Sequence, residues 1–377
     1  MQFRRFGKTD LMTSVFTFGA MRIPGVEDDE AVETTLKALD WGINHLETAR
    51  GYGRSEEQMG MAMPHISRDE VIITTKIGLT DTPDEMRRCI DESLTRMNVD
   101  RIDNFDIHGI NTHDILDKTL MPGGCLDAVR QAMTEGIIDH LGFSTHGPLD
   151  VILRTLDTDE FESVNLHYYY FNQWNGPAVV RANEKDMGVF IISPTDKGGQ
   201  LFNPPPKLEK MTAPFTPIGF NHRFLLANEM IHTVSLGAGH PHEYEPHMAV
   251  VDLEGPLTDD ESQILAGMDA EFHNVLGDTW CSLCHDCLPC PEKINIPEVL
   301  RLRSMTRSFD MIDFGKYRYN LFEAGGHWHP GEKATACTDC GDCLARCPEK
   351  LDIPALLRDT HDLLLGEQEE HMYATND

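Results

Sequence analysis

The chain has 377 residues, more than a single hydrophobic core usually organises, which predicts one large domain and a smaller one. Its 62 acidic residues against 32 basic ones give a formal net charge of −30, which excludes a nucleic-acid or anionic-membrane surface because both need a basic face. No stretch approaches the roughly 18 consecutive apolar residues of a membrane span, and no apolar run follows the charged MQFRRFGKTD opening, so a cytoplasmic protein is expected, whose ten cysteines call for an explanation other than disulfides.

From residue 1 to about 270, short β-branched runs alternate with amphipathic segments. Strands are predicted at 15–18, 43–47, 71–76, 102–108, 140–144, 163–166, 188–192 and 233–236. Eight strands separated by helical segments predict an α/β fold, a parallel (β/α)8 TIM barrel over residues 1–270. A doubly wound sheet lacks support, since no Gly-x-Gly-x-x-Gly opens a helix after the first strand.

Chemistry in such a barrel sits where the strands end. Glu47 closes the second strand, with Tyr52 in the loop just after it. Lys76 closes the third and His108 the fourth, while Ser144 and Asn165 close the fifth and sixth. An acid, an ammonium and a phenol at one mouth form a proton-transfer device. Lys76 beside Tyr52 is expected to favour phenolate and lower the phenol pKa, with Glu47 keeping the lysine charged and His108 orienting a carbonyl or sharing the proton. Taken singly, each of these residues reads first as a strand-end ion pair or a satisfied histidine, and it is the four together that point to chemistry.

The segments RRFGKTDLMTSVFTFGAMRIP, GINHLETARGYGRSEEQMGMAM, ITTKIG, RIDNFDIHG and LGFSTHG, in this order and spacing, resemble the successive signatures of the aldo-keto reductase family. The resemblance covers nearly the whole barrel. It implies that Tyr52 is the general acid, with Lys76, His108 and Glu47 beside it, Glu47 standing where the family usually has aspartate. It also places Ser144, Thr145, Asn165 and Ser193 at a nicotinamide, so NAD(P)H is an implied cofactor. The chain departs from the family pattern at Thr145, where asparagine is usual, at Asn165, where glutamine is usual, and at Ile192, where many members place an aromatic ring. The segment GAGHPHEYEPH after the eighth strand lacks the basic residues that typically grip the phosphate of NADPH.

Two segments near the mouth have open readings. HYYYFNQW, residues 167–174, walls a pocket or packs against a neighbouring domain. SPTDKGGQLF, residues 193–202, is a ligand loop containing Asp196 and Lys197 or simply a solvated one.

The remaining residues, 271–377, are expected to form a mostly helical ferredoxin-type domain. Eight of the ten cysteines fall between Cys281 and Cys347, as Cys281-x2-Cys284-x2-Cys287-x2-Cys290-Pro291 and Cys337-x2-Cys340-x2-Cys343-x3-Cys347-Pro348. The second run has the bacterial ferredoxin spacing, and the first is one residue short before its last cysteine. Three thiolates at this spacing wrap one corner of an iron–sulfur cubane, and the fourth comes from the other run. Two [4Fe–4S] clusters are thus expected, one on Cys281, Cys284, Cys287 and Cys347, the other on Cys337, Cys340, Cys343 and Cys290. Structural zinc is the competing reading, although four-cysteine zinc sites normally use two pairs split by a longer loop. Cys89 and Cys125 stand apart and read as core packing.

Helices are predicted from Pro297, with Ile296, Val299, Leu300 and Leu302 apolar, and around Pro354, with Ile353, Leu356 and Leu357 apolar. Both cysteine runs thus continue as Cys-Pro, turn, Ile-Pro, helix. The aromatic segment 308–331 reads as a bridge between the clusters and the barrel, and the acidic end GEQEEHMYATND as a frayed tail. With the cysteine block included, the chain resembles the branch of bacterial and archaeal aldo-keto reductases that carry a C-terminal [4Fe–4S] domain.

The functional expectation is an oxidoreductase acting on a small-molecule carbonyl/alcohol substrate at the barrel mouth, with the clusters relaying electrons to or from a ferredoxin or another electron-transfer partner. Two alternatives stand beside it. One is a nicotinamide-independent, ferredoxin-linked reductive or redox-neutral elimination enzyme, and the other is a binding module with structural clusters.

Overall fold

The structure, a computed structural model, describes residues 1–366. The segment expected to fray lies, from residue 367 on, outside the described residues. The chain divides into two compact units, Met1–Gly198 with Asn221–Pro256, and Gly199–Phe220 with the chain from Leu257 on. Among the described residues no helix is long and apolar enough to cross a membrane.

The first unit is built on a closed barrel of eight parallel strands, β1 (Phe16–Gly19), β2 (His45–Glu47), β3 (Ile72–Gly78), β4 (Ile102–His108), β5 (Ile138–Ser144), β6 (Ser163–Leu166), β7 (Gly188–Ile191) and β8 (Thr233–Leu236), with β8 pairing back onto β1. All eight expected strands are present. Side chains alternate across each strand, so every second residue faces the barrel axis.

The helices show why these residues fold as they do. Pro83–Met97 begins on Thr82, whose hydroxyl accepts from the Glu85 N–H at 3.2 Å. It ends on Asn98 in the left-handed region at φ 54°, and it buries Met86, Cys89, Ile90 and Met97. Cys89 in this helix and Cys125 in Cys125–Thr134 are both buried, as packing residues.

An antiparallel hairpin, Phe3–Arg5 with Met12–Ser14, precedes the barrel. Its strands are three residues long, one carrying Arg4 and Arg5 and the other reading Met-Thr-Ser, so the hydrophobic alternation that betrays a strand is absent. Phe6, between them, is 1 % exposed and lies among His45, His232 and Gly188, closing the end of the barrel where the strands begin.

The second unit is mostly helical, with Pro206–Thr212, Asp259–Leu276, Ile296–Phe309, Ile312–Asn320 and Ile353–Leu364. The two helices expected after the cysteine runs start alike. Asn295 caps one and Asp352 the other through a side-chain oxygen accepting a backbone N–H, each followed by Ile-Pro in the first turn. Asp359 joins them, pairing with Arg303 at 2.6 Å and Arg307 at 2.5 Å.

A Cβ at Gly188 would lie 2.7 Å from three atoms of the Phe6 ring. Gly188→Ala is expected to cost about 1–3 kcal/mol of stability through overpacking, read as a lower urea midpoint at unchanged m-value.

Candidate active site and cysteine motifs

The inward-facing positions of this barrel are unusually polar. Near the start of the strands, His45 shares hydrogen bonds with Thr17 at 2.8 Å and Thr74 at 2.7 Å, and Thr17 reaches Thr233 at 2.7 Å. Burial, aided by the Lys76 charge, lowers the His45 pKa to about 3 and keeps this imidazole neutral.

One layer nearer the mouth stands Lys76, 1 % exposed. Its ammonium pairs with the buried Glu47 carboxylate and donates to the Thr48 carbonyl at 2.8 Å. On the next strand Asp106 sits in register with Lys76. Asp106 is fully buried, and its two carboxylate oxygens accept from Asn104 Nδ2 at 2.9 Å and Asn165 Nδ2 at 2.7 Å. Gly142, its partner on β5, leaves it room, because a Cβ there would come within 2.3 Å of Asp106 Oδ1 and 2.1 Å of Ser163 Oγ.

Asp106 was not among the residues anticipated from strand ends. The signal was present in the run Asn104, Asp106, His108, in which every second residue of β4 is polar.

At the mouth the half-buried Tyr52 ring lies 4.7 Å from Lys76 Nζ and edge-on to His108, with ring centroids 5.6 Å apart at 83°. Tyr52, Lys76, Glu47 and His108 are therefore brought together, with the phenol and imidazole partly exposed above a buried floor of charge. One expectation is reversed. Burial raises the Tyr52 pKa well above 10, and the Asp106 charge raises it further, so the lysine does not bring the phenol toward neutrality. Burial lowers Lys76 and raises Asp106, the latter to about 6, each opposed by the charge of the other.

The residues expected at a nicotinamide are placed less openly. Ser144 Oγ accepts from the Gly109 N–H at 3.1 Å, and Thr145 Oγ1 donates to the Ile110 carbonyl at 2.7 Å, so both tie the loop after β4 to the end of β5. Asn165 commits its amide donor to Asp106, while its Oδ1 is buried without a hydrogen-bond partner. Ser193 follows β7 in left-handed backbone at φ 51°. Within HYYYFNQW, Tyr169, Tyr170 and Phe171 are buried, Tyr169 donating to the Ile192 carbonyl at 2.5 Å and Tyr168 stacking on Phe224.

In the second unit the two cysteine runs repeat one geometry. Cys287 and Cys343 are buried, Cys284 and Cys340 exposed, and the outer pairs intermediate. Left-handed backbone recurs at matching positions: Leu283 and Asp339, His285 and Gly341, Lys293 and Lys350. Such reversals turn successive N–H groups toward one side, as a sulfur-rich anionic group requires.

The runs also interleave. A small cleft is lined by Cys337, Cys340 and Cys343 together with Cys290 of the other run. The Cys281 thiol is pushed up to about 11 by burial and then by charge from Cys284 and Cys347. Burial and the charges of Cys281 and Cys284 raise Cys287 to about 12. Among the described residues no three His, Cys, Asp or Glu side chains are arranged to hold a single metal ion. Sulfurs spread around a cleft suit a multi-atom cluster.

Residues 16–200 match the aldo/keto reductase family and residues 280–351 the 4Fe-4S dicluster domain. The chain carries an aldo/keto reductase domain followed by a ferredoxin-type iron–sulfur domain. This is the composition of an oxidoreductase. The chain is 28% identical over 211 residues to the uncharacterized oxidoreductase YqkF of Bacillus subtilis, covering 52% of this chain and 66% of that one, just under two thirds. It is 26% identical over 325 residues to the L-galactose dehydrogenase of Arabidopsis thaliana, covering 76% and 98%. The holo form of aldo-keto reductase AKR11C1 from Bacillus halodurans superposes with a TM-score of 0.61 at 23% identity, covering 71% of this chain and 95% of that one, a likeness of fold.

Linkage makes the buried carboxyl measurable. The folded Asp106 carboxyl holds its proton up to about pH 6 against an ordinary 3.8, so between these values the folded chain binds more protons than the unfolded one, and stability falls as pH rises. Relative to Asp106→Asn, the wild type is expected to lose roughly 1–3 kcal/mol between about pH 4 and pH 6. Urea unfolding of both proteins at several pH values checks this, and a constant difference across the window means that Asp106 is not the shifted group.

Proposed function

We propose that this chain is a reductase of a small-molecule carbonyl compound, with Tyr52 donating the proton at the barrel mouth and iron–sulfur clusters carrying the electrons. The observation that carries the reading is a phenol held in its protonated form beside a buried ammonium. A carbonyl oxygen gains negative charge as it is reduced, and a proton donor that is not ionised at neutral pH stands ready to neutralise it. Lys76, 4.7 Å from the ring, stabilises the phenolate left behind, and Glu47 and Asp106 hold the lysine charge in place. His108, perpendicular to the Tyr52 ring and partly exposed, is the group that orients the carbonyl. The raised phenol pKa means that Tyr52 carries its proton at neutral pH and so enters the reaction as the acid.

Cys281, Cys284, Cys287 and Cys347 would hold one [4Fe–4S] cluster, and Cys337, Cys340, Cys343 and Cys290 the other. The repeated left-handed turns and the four-cysteine cleft fit that group. Bound clusters would supply single electrons, two of which convert a carbonyl to an alcohol together with two protons, one from Tyr52 and one from solvent. A small electron carrier such as a ferredoxin is the partner that this chemistry requires.

Anaerobically purified protein, assayed with reduced viologen dye and a panel of aldehydes and ketones, tests the assignment. Tyr52→Phe is expected to lower turnover by about 10²-fold or more with iron and sulfide content unchanged, and undiminished turnover refutes the acid role. Cys290→Ser is expected to lose half of the iron. Retention of full iron content overturns the crossed ligand sets.

A further inference from the structure

Beyond β8 the chain runs through Gly237, Ala238, Gly239 and His240, the part of a (β/α)8 barrel that, with the loop after β7, frequently holds a phosphate. The donors for an anion are assembled here. The Gly239 N–H at 2.7 Å, the His240 N–H at 3.2 Å and Arg22 Nη1 at 2.8 Å all donate to one carboxylate oxygen, and Arg22 Nη2 donates to the other at 3.0 Å. The anion they hold is the protein's own Glu243.

The arrangement is fixed from several sides. Arg22 Nη1 also donates to the Gly237 carbonyl at 3.0 Å, which locks the guanidinium fork, and the Glu243 and Arg22 side chains are only 16% and 24% exposed. Glu30 adds a second carboxylate, 2.6 Å from His240 Nδ1. A dinucleotide phosphate arriving here would have to displace a bidentate, partly buried ion pair and then sit beside both released acids. At the barrel mouth, Asn165 stands where glutamine is usual and one N–H of its amide is taken by Asp106. The residues at the end of β8 thus do not fit the phosphates of a nicotinamide dinucleotide in the way that the family resemblance implies.

We propose that Glu243 fills the anion cradle at the end of β8 and excludes the phosphates of NADH and NADPH, so that the barrel takes its electrons by another route. This deepens, and rests on, the reading of the barrel as a cluster-linked reductase. Glu243 is then a specificity-determining residue, set against the dinucleotide by charge and by occupancy. The same four donors that would grip a phosphate are satisfied without one.

The test is direct titration of NADH, NADPH and inorganic pyrophosphate into the anaerobic, cluster-loaded full chain by calorimetry. Wild type is expected to show no saturation below about 1 mM, the upper end of ordinary cofactor and substrate affinities. Glu243→Ala is expected to bind pyrophosphate and NADPH at least about tenfold more tightly, and Glu243→Ala combined with Arg22→Leu to lose that gain. Glu243→Gln, which keeps the side-chain volume and an acceptor for the Gly239 N–H, guards against a folding defect and is expected to show a smaller gain of the same sign. Micromolar binding of either nucleotide by wild type overturns the proposal, as does the absence of any gain in both single variants at full iron content. These outcomes are read as binding, so they are separate from loss of the Tyr52 role, which is read as turnover.

Discussion

A lysine ammonium 1 % exposed inside a closed barrel is a severe constraint, because an unpaired charge in that setting is strongly disfavoured. The interior is organised around relieving it. Glu47 supplies a direct ion pair from one neighbouring strand and Asp106 a second carboxylate from the other. Asp106 in turn needs donors, which Asn104 and Asn165 provide, and Asn104 passes the requirement on to Ser163 at 3.0 Å. The polar layer thus spreads across three further strands from one charge, leaving the apolar packing to the outer faces of the strands. The environment that burdens Lys76 also sets the behaviour of Tyr52. Desolvation and the Asp106 charge both raise the phenol pKa, so Tyr52 keeps its proton although an ammonium lies close by.

The second unit meets a different constraint, the folding of short cysteine-rich loops that have little core of their own. Its answer is repetition. Each run makes the same left-handed reversals and buries the same third cysteine, then passes through a proline into a capped helix. The two helices are fastened by Asp359 between Arg303 and Arg307, an ion-pair arrangement that ties the halves together beyond the thiolates. Cys290 of the first run lines a cleft with Cys337, Cys340 and Cys343 of the second, so the two runs meet there.

Much of this was legible in the sequence, for identifiable reasons. All eight barrel strands were marked by β-branched runs between amphipathic segments, and the cysteine spacing encodes its geometry locally. The N-terminal hairpin was not legible, since three-residue strands carrying Arg4 and Arg5 have no apolar rhythm. Asp106 was overlooked because attention to strand ends misses the position two residues earlier that faces the same way. The Tyr52 shift came out with the opposite sign because a sequence reveals which charges are near but not how much water is lost. Glu243 could be seen as an absence of basic residues, whereas its capture by Arg22, more than two hundred positions away, is a purely tertiary fact.

The niche at Gly142 carries a consequence for how this barrel can diverge. A side chain at 142 and a carboxylate at 106 claim the same volume, to within 2.3 Å, so position 142 must stay glycine while the acid is kept. A side chain at 142 would also lie 2.1 Å from Ser163 Oγ, so the niche is shared by the acid on β4 and the hydroxyl on β6. The second carboxylate beside the buried lysine is therefore held as much by the missing side chain at 142 as by its own hydrogen bonds.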